Sequence, residues 1–293
     1  MYGIFGILML SDPVPTCIEM SYLINILQIV LPVAYFATIW VYAKAFFSSV
    51  KLAERLQLPM LFSTLTLHLL YIGVRSVAFD HPPITSVFEI FSLIALTIVI
   101  VYCWIELRTK NHATGYFILI LPFFFQLASS VFIREKTDIP PALRNALLGF
   151  HVTSALLGYA AITIAAVYGF LYLMLYHDIK SSQFSVIYKR LPNLETLERM
   201  SFTATLFGFV LLTIAITVGL IWLPRVFSTI SYTDPKLLGT VAIWLIYGGG
   251  MIAKKAGGWQ GRRMMVLTLF GFALAMFSMT IINIFFSEFH KFY

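Results

Sequence analysis

The side chains of this 293-residue chain best suited to chemistry are its six histidines: His68, His81, His112, His151, His177 and His290. Imidazole carries protons and ligates metals near neutral pH. His151 and His290 stand out because each belongs to a long apolar stretch with a distinctive face. Ser154, Ala155, Gly158 and Tyr159 follow His151 at offsets of three, four, seven and eight, mostly small residues at the spacing of close helix contact. Asn283 and Ser287 precede His290 by seven and three, one polar stripe. Two neutral imidazoles on different helices can hold one iron between them, as in bis-histidine haem ligation. The competing reading is a pair of ordinary interfacial histidines. His68 and Arg75 are seven residues apart, two helical turns, and share a face. Asp80 and Glu89 flank the connection after them. Either Arg75 pairs with Glu89 while His68 bonds a neighbouring helix, or His68 is an axial ligand and Arg75 faces an anionic group such as a propionate. His112 and His177 lie among charged residues and read as solvated loop histidines.

The elements that must position these groups follow from composition. Hydrophobic residues make up 60% of the chain and charged ones 11%, against about 25% charged in soluble domains. Such a chain cannot clothe a core in polar surface, which excludes an ordinary water-soluble enzyme. Eight apolar runs are near the roughly 20 residues that a spanning helix needs: 22–46, 58–78, 86–107, 115–133, 145–176, 202–223, 236–253 and 263–287. The runs are continuous, so no β-barrel is expected. The fold class is all-α: a polytopic transmembrane helical bundle of about eight spans, forming one integral membrane domain with spans one to four in 1–144 and five to eight in 145–293.

Thirteen lysines and arginines fall in the connections after spans one, three, five and seven, and seven in the alternate set. The positive-inside rule makes the first set cytoplasmic and places both termini outside. His81, His151 and His290 then lie at outer span ends, and His68 alone lies mid-span. The fifth run is too long for one crossing and is expected to project beyond the bilayer. Gly248-Gly249-Gly250 is expected to thin or bend span seven. Asn193 is expected to cap a short helix leading into span six.

Several chemistries are excluded. There is no HExxH, GxSxG, P-loop or GxGxxG. Cys17 and Cys103 form no CxxC, so neither a thiol redox motif nor covalent haem attachment is expected. The net charge of +7 is dispersed among loops and does not indicate nucleic-acid binding. Cys103 lies mid-span among apolar residues and reads as inert.

The second half resembles a known family. Leu191-Pro192-Asn193-Leu194-Glu195-Thr196-Leu197-Glu198, Gly208-Phe209, Asp234-Pro235-Lys236 and Trp244-Leu245-Ile246-Tyr247 occur in its order. Gly258-Trp259-Gln260-Gly261-Arg262-Arg263, Gly271-Phe272 and Phe289-His290 complete the series. This is similar to the cytochrome c assembly family of CcsA-like and HemX-like membrane proteins. The first half fits through His68, Arg75 and the stretch from Pro83 to Glu89. The resemblance implies haem handling, with the family's two outer histidines at His151 and His290 flanking a haem-cradling, tryptophan-rich external segment. Here that segment reads Phe227-Ser228-Thr229-Ile230-Ser231-Tyr232-Thr233, and glycines with Met251 and Ile252 stand where exporters carry a histidine in span seven. These departures look more HemX-like.

On this footing haem b is the expected cofactor, held non-covalently at the outer face and delivered for cytochrome c assembly, with the protein itself no enzyme. Trp222 and Tyr232 are expected to stack on the macrocycle, and Lys236 or Arg225 to meet its propionates. His68 with Arg75 is a second candidate haem site. Expected partners are haem, membrane lipid, and either a cytochrome c synthesis subunit with a large external domain or a haem-biosynthetic enzyme at cytoplasmic residues 177–201. The alternative function is a HemX-type membrane regulator of glutamyl-tRNA reductase level, with a small-solute transporter as a minor third. The expected location is a bacterial-type inner membrane, crossed many times.

Overall fold

The structure is a computed structural model and describes residues 17–134, 146–182, 185–226 and 234–278. Among these residues the regular structure is entirely helical: α1 (Cys17–Ser48), α2 (Lys51–Phe79), α3 (Val87–Thr109), α4 (Gly115–Phe132), α5 (Ala146–Lys180), α6 (Val186–Arg190), α7 (Leu194–Val226), α8 (Pro235–Ala256) and α9 (Arg262–Phe277). Seven of them are long and apolar enough to cross a bilayer. The eighth expected span begins as α9, and its remainder lies outside the described residues. Ile29, Val33, Phe124, Ile252 and Phe270 point outward, exposed. A helical chain that turns large apolar side chains outward and satisfies its backbone internally is built for lipid. This is a multi-pass integral membrane protein.

Helices α1 to α4 pack on one another, α5 packs along α7, and α3 joins the two groups through α5. One core of Leu31, Tyr35, Leu61, Ile98 and Leu119 runs through the first group and continues into Ala161, Ala165 and Leu197 of the second. The small-residue face read on span five does what its spacing implies. A Cβ on Gly208 would come within 3.1 Å of the Gly158 carbonyl oxygen, and Ser201 donates to the Ala165 carbonyl at 2.9 Å. Backbones meet there directly.

Helix boundaries have local causes. Ser86 caps α3 by accepting from the Glu89 N–H. Asp80 and Lys110 end α2 and α3 in the left-handed conformation. Asn193 accepts from the Thr196 N–H at 2.9 Å, but the helix it caps is α7 itself. The stretch it starts is not set apart from span six, because nothing between Arg199 and Ser201 breaks the turn that the cap starts; the separate short helix here is α6, which ends before Asn193. The three glycines of span seven lie inside an unbroken α8. At 35 residues α5 is about 52 Å long, more than the roughly 40–45 Å of a bilayer with its headgroups.

Candidate functional site

His151 lies near the start of α5 and leans on α7. Its Nδ1 is 2.8 Å from the carbonyl oxygen of Ala215. A carbonyl only accepts, so the proton must sit on Nδ1, and Nε2 keeps its lone pair. No described residue bonds that Nε2. The ring rests on Gly219, where a Cβ would be 2.9 Å from Cε1 and 3.0 Å from Nδ1. Glycine is therefore required one turn beyond Ala215 for the imidazole to reach its carbonyl. Holding one ring N–H against a backbone carbonyl is how proteins orient a metal-binding imidazole and fix its tautomer. The half-buried ring thus has the donor chemistry that haem iron takes.

Trp222 is seven residues beyond Ala215 in the backbone of α7. The second expected ligand, His290, lies outside the described residues with Asn283 and Ser287. So do Tyr232 and the side chains of Trp222, Arg225 and Lys236.

His68 and Arg75 follow the first of their two readings. The His68 ring is fully enclosed. Ser92 on α3 donates to Gln126 Oε1 on α4 at 2.8 Å, so its oxygen receives the proton of His68 Nε2, 3.0 Å away. Nδ1 must then accept, and the Tyr35 hydroxyl of α1 donates to it at 2.9 Å. Gln126 donates onward to Ser130, whose carbonyl accepts from Gln28 at 2.6 Å. The chain of bonds thus ties all four helices together, and both nitrogens of His68 are committed to protein partners. Arg75 donates from Nε and Nη2 to Glu89 Oε1 at 3.2 and 2.9 Å and lies over the Phe79 ring. The other carboxylate oxygen of Glu89 accepts from the Thr85 N–H and hydroxyl at 2.8 and 2.7 Å. Arg75 is buried in this pair.

The reading of His112 as solvated needs correction. Lys110 turns the chain back at the end of α3, and the His112 Nδ1 meets Glu106 Oε1. Glu106 is fully enclosed, and the Tyr42 hydroxyl shares its proton between both carboxylate oxygens at 2.8 Å. The hydrogen bond to Glu106, aided by its charge and opposed by burial, raises the His112 pKa above the usual histidine value. His177 is exposed at the end of α5, as expected, and His81 is buried against the Pro82 carbonyl. Cys103 is buried and free.

The motifs of the second half meet in space. Glu198 accepts from the Lys254 ammonium and, at 2.9 Å, from the N–H of Gly261. Gly261 has φ of +61°, which favours glycine. Trp244 stacks on Phe209 and donates to Thr213 at 2.7 Å, and Tyr247 donates to the Thr268 carbonyl. These contacts join α7, α8 and α9, so these parts of the series serve packing.

The family described as cytochrome C assembly protein matches residues 60–290. A cytochrome c biogenesis protein CcsA of Guillardia theta is 25% identical over 222 residues, covering 69% of this chain and 74% of its own. The CcsA protein of Chlorella vulgaris is 27% identical over 240 residues, covering 71% and 75%. That of Prochlorococcus marinus (strain MIT 9301) is 28% identical over 163 residues, covering 49% and 53%.

Proposed function

This chain belongs to the cytochrome c assembly protein family, and we propose that within it the protein binds haem b at the outer end of α5 and presents it for cytochrome c biogenesis. His151 and His290 would hold the haem through their imidazole nitrogens, and Trp222 would help to bind it. The protein sits in a bacterial-type cytoplasmic membrane with this site on the outer face. The observation that carries the reading is the Nδ1–H of His151 donated to the Ala215 carbonyl over Gly219, which leaves Nε2 as the ligating atom. Haem supplies an iron that accepts two imidazoles without covalent attachment to the chain. The residues hold and orient it, and the protein carries out no covalent step itself. His68 and Arg75, enclosed by their own partners, support the bundle that carries the site.

The test is the haem content and spectrum of the purified full-length protein, alone and with His151→Ala and His290→Ala. A bis-histidine spectrum that either substitution abolishes, and that added imidazole restores, is the expected result. Haem content and spectrum unchanged in the double variant would overturn the assignment. If haem precursors then changed on gene deletion while cytochrome c maturation stayed intact, the function would be regulation of haem synthesis through residues 177–201.

A further inference from the structure

Another charged site lies at the other end of α3 from Glu89, where the basic connections cluster. Glu106 is enclosed there with no lysine or arginine against it among the described residues. A buried carboxylate is costly to leave without compensation. Tyr42 from α1 donates one proton to it, and His112 from the α3–α4 connection meets one of its oxygens. Around these stand three further hydroxyls, all fully enclosed: Tyr102 of α3, Tyr168 of α5, and Thr114 at the start of α4. The Tyr102 hydroxyl interacts weakly with Glu106 and that of Tyr168 with Thr114, contacts that leave all three hydroxyls short of full hydrogen-bond geometry with any described residue. The chain is drawn tight at this point. A Cβ on Gly115 would come within 2.5 Å of the Tyr102 hydroxyl. Three buried hydroxyls without a hydrogen-bond partner among the described residues thus gather at this one carboxylate.

Buried hydroxyls are hydrogen-bonded in folded proteins, and where protein groups do not serve, an ordered water with two to four polar partners does. The groups here supply that number. The titratable neighbours of Glu106 are Tyr42 from α1, Tyr102 and Cys103 from α3, Tyr168 from α5 and His112 from the connection. Only His112 among these titrates near neutral pH, and it alone is partly exposed, at 35%. Its Nδ1–H is held by the carboxylate, so Nε2 is the nitrogen that gains and loses a proton.

We propose that the Glu106 cluster is a binding site for ordered water and one exchangeable proton, entered through His112. The proton passes from bulk water to His112 Nε2, giving an imidazolium beside the Glu106 carboxylate, and returns to water by the same route. Water within the cluster bonds Tyr102, Tyr168 and Thr114. Through Tyr168 the site reaches α5, the helix that carries His151.

Hydroxyl-radical footprinting of the full chain in lipid nanodiscs tests the hydration, because radicals formed from bound water modify the side chains beside it. Tyr102 and Tyr168 are expected to be modified, while Tyr35, equally buried but bonded to His68, is not. Modification of all three at the Tyr35 level would overturn the water site. This arm uses the natural chain and needs no variant to fold. In the second arm, the titration of isotope-labelled His112 is followed by NMR. The midpoint is expected to move down in Glu106→Gln, and an unchanged midpoint would overturn the proton site. Neither readout depends on haem.

Discussion

Two histidines in one molecule differ in what their second nitrogen is doing. His68 in α2 has Tyr35 on one side and Ser92 on the other, and the bonds continue to Gln126, Ser130 and Gln28. His151 in α5 has one bond, to the Ala215 carbonyl, and a second nitrogen that no described residue uses. Both lie in apolar helices, and His68 is the more deeply buried. Burial alone therefore does not separate the two rings by what they can bind. The state of the second ring nitrogen does, because a lone pair already receiving a proton cannot bind iron. An intramembrane histidine is a functional candidate by default, and on the proposed reading it is the less buried of the two that serves.

The comparison can be broken at several points. The largest effect is expected at Arg75→Ala, which leaves Glu89 buried without its cation; stability should fall by about 3–5 kcal/mol, read as thermal unfolding in detergent. Gly219→Ala comes next. It pushes the His151 ring off the Ala215 carbonyl and should weaken haem binding roughly tenfold to a hundredfold, while Gly149→Ala, where a Cβ meets nothing within 4 Å, leaves affinity unchanged. Equal haem affinity in the two variants would remove Gly219 from the site.

His68→Ala should leave the haem spectrum intact and lower stability by about 1–3 kcal/mol, as Tyr35 and Ser92 lose buried partners. A lost spectrum in that variant would return His68 to the list of ligands. The smallest effect is on pH dependence. The His112 pKa is raised by its bond to Glu106, so the pair stabilises the fold fully below the pKa of the unfolded chain. That contribution fades as pH rises through the higher folded value. The melting temperature of the natural protein should drift downward over that range, and the drift should be absent in His112→Gln.

What could be read from sequence was the part written in local periodicity. Span positions, the small face of α5, the shared face of His68 and Arg75, and the Arg75–Glu89 alternative all rest on residues within a few turns of each other. The Glu106 site was not readable that way. Its hydroxyl donor Tyr42 lies 64 residues away, and His112 returns to it only because Lys110 turns left-handed. In the linear chain both look like the charged margin of a span. The sharpest sign available was a lone acidic residue in the Cys103–Leu107 stretch, an expensive place for one. The continuity of α7 was equally hidden, since Arg199 looks like a loop residue until the Asn193 cap is seen to start an unbroken helix.

The Arg75–Glu89 bond also bears on how the chain enters the membrane. Alone at the centre of a lipid-facing helix, an arginine or an aspartate costs on the order of 2.5–3.5 kcal/mol on the insertion scale. Here the two opposite charges are carried by consecutive helices, 14 residues apart, with only the short turn from Asp80 to Ser86 between them. Neither needs to meet lipid as a bare ion if α2 and α3 leave the insertion machinery together as a hairpin. Lengthening that turn should therefore slow or divert biogenesis even where the finished fold tolerates the extra residues.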